Sequence, residues 1–297
     1  MPSPSPSMPP TMLPATNTDA TVSAVVLGLS SPSTGVRLLR LRLPSGVWEP
    51  PYCGRFWMAR CTPDTPVARS QDWSIYLRRP LFVAAIPSSA SADAGQTIDL
   101  LLGPDLLLGP ELLLGPEDDP GVTWLAARPP GSTVNLLGPF GRPFTLPGHS
   151  RALLVLTQPA TAPLWLPVIH EMLDRGGRVT LLTPPPAKPD DLLPLLPFAV
   201  EVRAAADTSG WAHHLSETLR WADHLCAALP FSAYQPLADQ LRQARFRVEP
   251  GFAHVFVNAD FACGFGACLT CVVPLPDGGM TRACLHGPIF PLERITV

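Results

Sequence analysis

A chain of 297 residues can form two or three domains with their own hydrophobic cores. It is 46% apolar and only 15% charged, which points to an unusually apolar surface or one partly covered by a partner. The net charge of −3 excludes the basic field that draws a protein to nucleic acid or to an anionic membrane.

Residues 1–20 read as a Pro/Ser tail, with neither the cationic start nor the apolar core of a signal peptide. No apolar run is long enough to span a bilayer, so a cytoplasmic location is expected. The 39 prolines favour turns and edge strands over long helices. From residue 21 to 148 short strands separated by Pro/Gly turns predict a small antiparallel barrel. The strands expected are TVSAVVLGL (21–29), VRLLRLRL (36–43), RFWMARC (55–61), LFVAAI (81–86) and VTWLAA (122–127). Three copies of Leu-Leu-Leu-Gly-Pro-Asp/Glu run from Leu100 to Glu117 and read as an expanded hairpin loop inserted in that barrel.

After His149 the period changes. RALLVL (151–156), RVTLLT (178–183), AVEVRA (199–204) and ADHLCAAL (222–229) are predicted strands. PLWLPVIHEMLDRGG (163–177), WAHHLSETLRW (211–221) and YQPLADQLRQA (234–244) are predicted helices. Alternating strand and helix over 149–250 argues for a doubly wound, mainly parallel sheet.

Residues 251–297 form a third unit, and four of the seven cysteines fall in it. Cys263, Cys268, Cys271 and Cys284 follow the spacing C-x4-C-x2-C-x12-C. Zinc knuckles usually pair their cysteines as two short C-x2–4-C turns. One close pair with more distant outer cysteines is instead the plant-type [2Fe–2S] spacing. Gly264 and Gly266 would let the backbone turn closely around such a cluster. A zinc-stabilised interaction protein is the other reading. The remaining cysteines, Cys53, Cys61 and Cys226, read as small buried hydrophobes.

Barrel, doubly wound domain and CGFGACLTC…C loop together resemble the ferredoxin–NADP reductase superfamily. Within it they look most like the electron transfer subunits of two-subunit dihydroorotate dehydrogenases. That resemblance implies Cys263, Cys268, Cys271 and Cys284 as [2Fe–2S] ligands. It implies FAD along LRRPLFV, with Arg79, Pro80 and Leu81 in the flavin strand and Arg79 on the phosphates, and room for the cofactor at Gly121 and Gly138. It also implies an FMN-containing catalytic partner subunit in a hetero-oligomer of pyrimidine biosynthesis, the chain itself being the electron transfer subunit of an oxidoreductase.

The sequence departs from the family pattern in several places, among them CAALPFSAYQP (226–236), which stands where the family has a Cys-Gly-Pro nicotinamide motif. Phe82 replaces a serine in the flavin strand, and Val122 falls where the family has a threonine. LTQPATAPL (156–164) stands where the family has a glycine-rich loop, so NADH binding by the usual motif is not expected. The alternative implied by these departures is a cluster-only relay or structural subunit without FAD or NADH.

Overall fold

The structure, a computed structural model, describes residues 21–47, 52–62, 76–85, 95–103, 119–186 and 188–297. The expected Pro/Ser tail and residues 104–117 of the leucine repeat lie outside these. Six antiparallel strands close a barrel: β1 (Thr21–Ser33), β2 (Val36–Leu43), β3 (Phe56–Ala59), β4 (Arg79–Ala85), β5 (Gln96–Leu102) and β6 (Thr133–Phe140). Their order around the wall is β1-β2-β5-β4-β3-β6.

Alternation along the strands sorts their side chains between two cores. Trp57, Ala59, Leu81, Val83, Ile98, Leu100 and Leu102 fill the barrel. Phe56, Met58, Phe82, Ala84 and Leu101 point outward and join the core of the neighbouring sheet domain. Both faces of β3 and β4 are therefore buried. On β2 and β5, Arg40 sits directly opposite Asp99 and donates to it at 2.6 and 2.7 Å, an opposite-charge pair that reinforces this register.

Two expectations for the barrel need correction. VTWLAA is not a strand but most of a helix, α1 (Pro120–Ala126), which plugs the barrel with Val122 and Leu125. Asp119 caps it and Pro120 occupies the first turn, a start signal that outweighs the β-branched Val122 and Thr123. The first repeat copy is not loop either: Leu100, Leu101 and Leu102 end strand β5 in the barrel wall.

The second sheet has the order β14-β11-β10-β7-β8-β9. β7 (Ala152–Thr157), β8 (Arg178–Thr183), β9 (Glu201–Ala204), β10 (His224–Ala228) and β11 (Ala253–Phe256) are parallel; β14 (Ile289–Pro291) is antiparallel to β11. Helices α2 (Leu166–Asp174), α3 (Thr208–Trp221) and α4 (Tyr234–Ala244) connect the parallel strands. The chain leaves β7 for β8 and β9 on one side and returns to β10 and β11 on the other, so the topological switch lies between β7 and β10. β11 and β14 both come from residues 251–297. The cysteine segment is therefore an excursion between two strands of this sheet, carrying the hairpin β12 (Val272–Pro274) and β13 (Met280–Arg282) and the short helix α5 (Ala283–His286). A last turn, α6 (Leu292–Ile295), follows β14.

A stack of three rings seals the start of the sheet. Phe144 lies 5.8 Å from His224 and 4.6 Å from His254, and the two imidazoles are 5.2 Å apart. His224 Nε2 and His254 Nδ1 are buried with no hydrogen-bond partner among the described residues. Burial, with His254 and His149 nearby, lowers His224 to about 3. Burial likewise lowers His254 to about 4, with Glu293 opposing the shift.

Each imidazole thus folds neutral while its unfolded counterpart takes a proton near pH 6.5. The unfolded state binds more protons between that value and the folded values, so stability falls as pH drops through this window, by up to about 1.4 kcal/mol per pH unit for each histidine. Denaturant unfolding measured from pH 7 to pH 4 is expected to show this slope, and His224→Phe should remove roughly half of it. An unchanged slope in the variant would show that another group drives the acid loss.

Candidate redox site

Local structure explains how distant cysteines meet. The β12–β13 hairpin pairs Val272 with Arg282, which sets Cys271 beside Ala283; the Ala283 N–H donates to the Cys271 carbonyl at 2.9 Å. The Cys271 and Cys284 sulfurs consequently lie 3.2 Å apart. On the other side of the loop the Cys263 and Cys268 sulfurs are 3.3 Å apart.

The thiols thus stand as two pairs, and among the described residues no three His, Cys, Asp or Glu side chains converge on one metal position. A mononuclear zinc site needs four ligands around one point. Two pairs fit a dinuclear centre in which each iron takes two thiolates.

The pairs differ in environment. Cys268 is exposed and Cys263 half-buried, whereas Cys271 and Cys284 are buried. The Thr270 hydroxyl, 3.1 Å from Cys268 Sγ, and the Thr270 N–H lower the Cys268 thiol to about 6. Burial first, then its Cys271 neighbour, pushes Cys284 up to about 12, with the Gly266 N–H opposing. A buried thiol of this kind ionises when a cation neutralises it, which is the service a metal centre provides.

The loop follows the barrel wall closely. A Cβ on Gly264 would stand 2.7 to 2.8 Å from the Phe140 ring and Met58, and the residue has φ +84°. A Cβ on Gly266 (φ +83°) would meet the Leu285 side chain at 2.4 Å. The Arg282 guanidinium donates to the Gly266 carbonyl at 2.9 Å, tying the loop to β13. Phe265 and Leu269 on the cysteine loop and Met280 on β13 are exposed. His286 lies outside the thiol set, its Nδ1 being 3.0 Å from the Thr281 hydroxyl.

The residues expected to hold FAD lie on the barrel wall. Arg79 pairs with Ala59 across β4 and β3, and Ala59 with Leu136 across β3 and β6, so Arg79 and Gly138 share that wall two residues out of line. Arg79 also meets Gly121, where a Cβ would come within 3.1 Å of its guanidinium. Pro80 pairs with Met58. Leu81 points into the barrel and is fully buried, so only its backbone can face a ligand. Gly138, at φ +136°, clears the Phe56 carbonyl and the Phe140 amide.

Phe82 packs edge-on to Phe256 and Phe261 with ring centres at 5.0 and 5.6 Å. At the switch between β7 and β10 a 3-10 helix, Pro159–Trp165, replaces the glycine-rich loop, and Thr161 through Trp165 are buried there.

Sequence reasoning missed Asp119. Its carboxylate accepts from Arg79 Nε at 2.7 and 3.0 Å and from the N–H groups of Gly121 and Val122 at 2.7 and 3.1 Å. The Asp-Pro pair that opens α1 was the available signal. Phe140 and Phe261 were missed as well, since their partners are distant in the chain.

Residues 258–296 match the family described as the iron–sulfur cluster binding domain of dihydroorotate dehydrogenase B. The chain is 28% identical over 187 residues to the electron transfer subunit of dihydroorotate dehydrogenase B (NAD(+)) from Desulforamulus reducens, covering 58% of this chain and 68% of that protein. The subunit of the same name from Geobacillus kaustophilus is 29% identical over 187 residues, covering 59% and 69%.

In fold the chain is similar to an NADH-dependent reduced ferredoxin–NADP oxidoreductase. The TM-score is 0.64 at 18% identity, covering 92% of this chain and 89% of the other. It is also similar to the cytochrome b5 reductase domain of Ulva prolifera nitrate reductase, at TM-score 0.51 and 14% identity over 82% and 99% of the two chains. The barrel-plus-sheet architecture is therefore shared with these two proteins.

The close approach at Gly264 can be tested against Gly278, which has φ +79° but no atom within 4 Å of an added Cβ. Gly278→Ala should cost only the backbone strain of roughly 1 kcal/mol. Gly264→Ala should cost more and lower the metal content of the purified chain, because its neighbours are a ring and a packed methionine. Equal melting temperatures and metal contents for the two variants would refute the account.

Proposed function

We propose that this chain, whose residues 258–296 match the iron–sulfur cluster binding domain of dihydroorotate dehydrogenase B, is the electron transfer subunit of a dihydroorotate dehydrogenase-like enzyme. Cys263, Cys268, Cys271 and Cys284 hold a [2Fe–2S] cluster. FAD lies along the barrel wall, with Arg79 on its diphosphate, Pro80 and Leu81 beside it through the flavin strand, and Gly121 and Gly138 giving it room. The arrangement of the four thiols as two pairs carries the reading. Its support from relatives is their shared description as electron transfer subunits of dihydroorotate dehydrogenase B.

When bound, FAD converts two-electron into one-electron traffic and the cluster passes single electrons onward. The chain supplies the holding and the tuning. The N–H groups of Thr270 and Gly266 address Cys268 and Cys284 and offset the negative charge of thiolates. The barrel wall at Met58 and Phe140 keeps water from the loop's inner side. The exposed Cys268, with the exposed Leu269 next to it in the chain, is the face offered to the partner. That partner is an FMN-containing catalytic subunit in which the oxidation of dihydroorotate to orotate takes place. A cytoplasmic setting belongs to the same proposal. Among the described residues no helix is long and apolar enough to cross a membrane.

A cluster-only relay is the second reading. It is favoured by the buried Phe82, by the side chains filling the β7–β10 switch and by the carboxylate already on Arg79.

Anaerobic purification separates the readings. About two iron and two acid-labile sulfide per chain, with visible bands that bleach on reduction and FAD released by acid, are the expected outcome. The same bands without flavin would select the relay, and a colourless protein with zinc would remove the cluster. Cys284→Ser should abolish the bands, whereas Cys226→Ser, in the sheet core, should leave them unchanged.

A further inference from the structure

We propose that Asp119 is an internal anion that competes with the flavin diphosphate for Arg79, making FAD in this subunit a weakly held, exchangeable ligand. This deepens the flavin reading above and rests on it.

Arg79 is the one cation that the flavin reading assigns to the phosphates, and in the structure it is engaged by protein. Its Nε donates to both Asp119 oxygens at 2.7 and 3.0 Å, and its Nη1 donates to the Leu77 carbonyl at 2.6 Å. The carboxylate is fixed a second time by the Gly121 and Val122 amides. Asp119 therefore gathers a guanidinium and two N–H groups, the same kinds of donor that a diphosphate takes.

Gly121 brings the two closer, because even a Cβ there would stand 3.1 Å from both Arg79 and the Asp119 carboxylate. The pair is partly buried, with side-chain exposures of 18% for Arg79 and 32% for Asp119, so water screens it only in part. Burial acts to raise the Asp119 carboxyl, but the Arg79 hydrogen bond and the Val122 and Gly121 amides hold it below its ordinary value. It is ionised at neutral pH.

An arriving diphosphate must then displace this carboxylate from Arg79, or share the guanidinium with it and sit beside a like charge. Either outcome weakens FAD without touching the isoalloxazine. The same pair joins the first residue of β4 to the start of α1 across 40 positions.

The test is Asp119→Asn in the full chain carrying its metal centre. Asn caps a helix as well as Asp does, so α1 keeps its start while the charge is lost. The visible bands and melting temperature verify folding, and Asp119→Ser, which also caps, carries the same test should Asn fold poorly. FAD and riboflavin, the latter lacking the diphosphate, are titrated by flavin fluorescence. Tenfold or tighter FAD binding in the variant with unchanged riboflavin binding is expected. FAD bound tightly and equally by both proteins, or more weakly by the variant, would overturn the competition while leaving the flavin reading intact. Failure of both proteins to bind FAD or riboflavin would overturn the flavin reading, and the inference with it.

Discussion

The aromatic seam between barrel and sheet is the constraint on which the other features rest. Phe56 and Phe82 leave the barrel wall and meet Phe261, with Phe82 also edge-on to Phe256 at the end of β11. Ring pairs of this kind contribute roughly 0.5–1.5 kcal/mol each beyond the area that they bury. Because β3 and β4 are covered on both faces, the barrel cannot shift on the sheet without opening two cores together. The cysteine excursion leaves from β11, so the seam fixes where it begins. Phe140 and Met58 on the same wall fix how closely it can lie.

Upon that frame the polar groups divide by burial. At the cysteine loop Cys268 faces water and Cys284 is enclosed, which separates the readiness of these two thiols to ionise and suits a centre that neutralises the buried one. At the barrel wall the Arg79–Asp119 pair is only partly enclosed, and its hydrogen bonds hold the Asp119 carboxyl below its ordinary value. At the start of the sheet, by contrast, His224 and His254 are enclosed, with His224 Nε2 and His254 Nδ1 unpartnered among the described residues, and remain neutral. Each group takes the charge state that its neighbours can compensate, and the positions that could meet an outside ligand are those where compensation is adjustable.

The topology also changes the meaning of the C-terminal segment. Residues 251–297 read as a separate unit because their composition shifts abruptly to cysteine and glycine. In space β11 and β14 extend the sheet, with the Val257 N–H donating to the Pro288 carbonyl where the excursion starts and ends. The loop therefore inherits its rigidity from the sheet, which a free-standing knuckle of this length would have to obtain from metal alone.

Features encoded over a few residues were legible in the chain itself. The alternation in VRLLRLRL, the helical period of YQPLADQLRQA and the spacing of Cys263, Cys268, Cys271 and Cys284 each express a local geometry, and the barrel, the parallel sheet and the candidate thiol set followed from them. VTWLAA misled because its β-branched residues speak for a strand while the capping Asp119-Pro120 pair lies just outside the window. Leu100–Leu102 misled because a perfect repeat hides that its first copy serves the barrel wall.

The pairing of Arg79 with Asp119, the distribution of the thiols into two pairs and the seam at Phe82 depend on strand register and on which face of a shared wall each side chain takes. Those are set by burial between segments far apart in sequence. A chain read residue by residue carries the periods, but the partners exist only once the two cores have closed around β3 and β4.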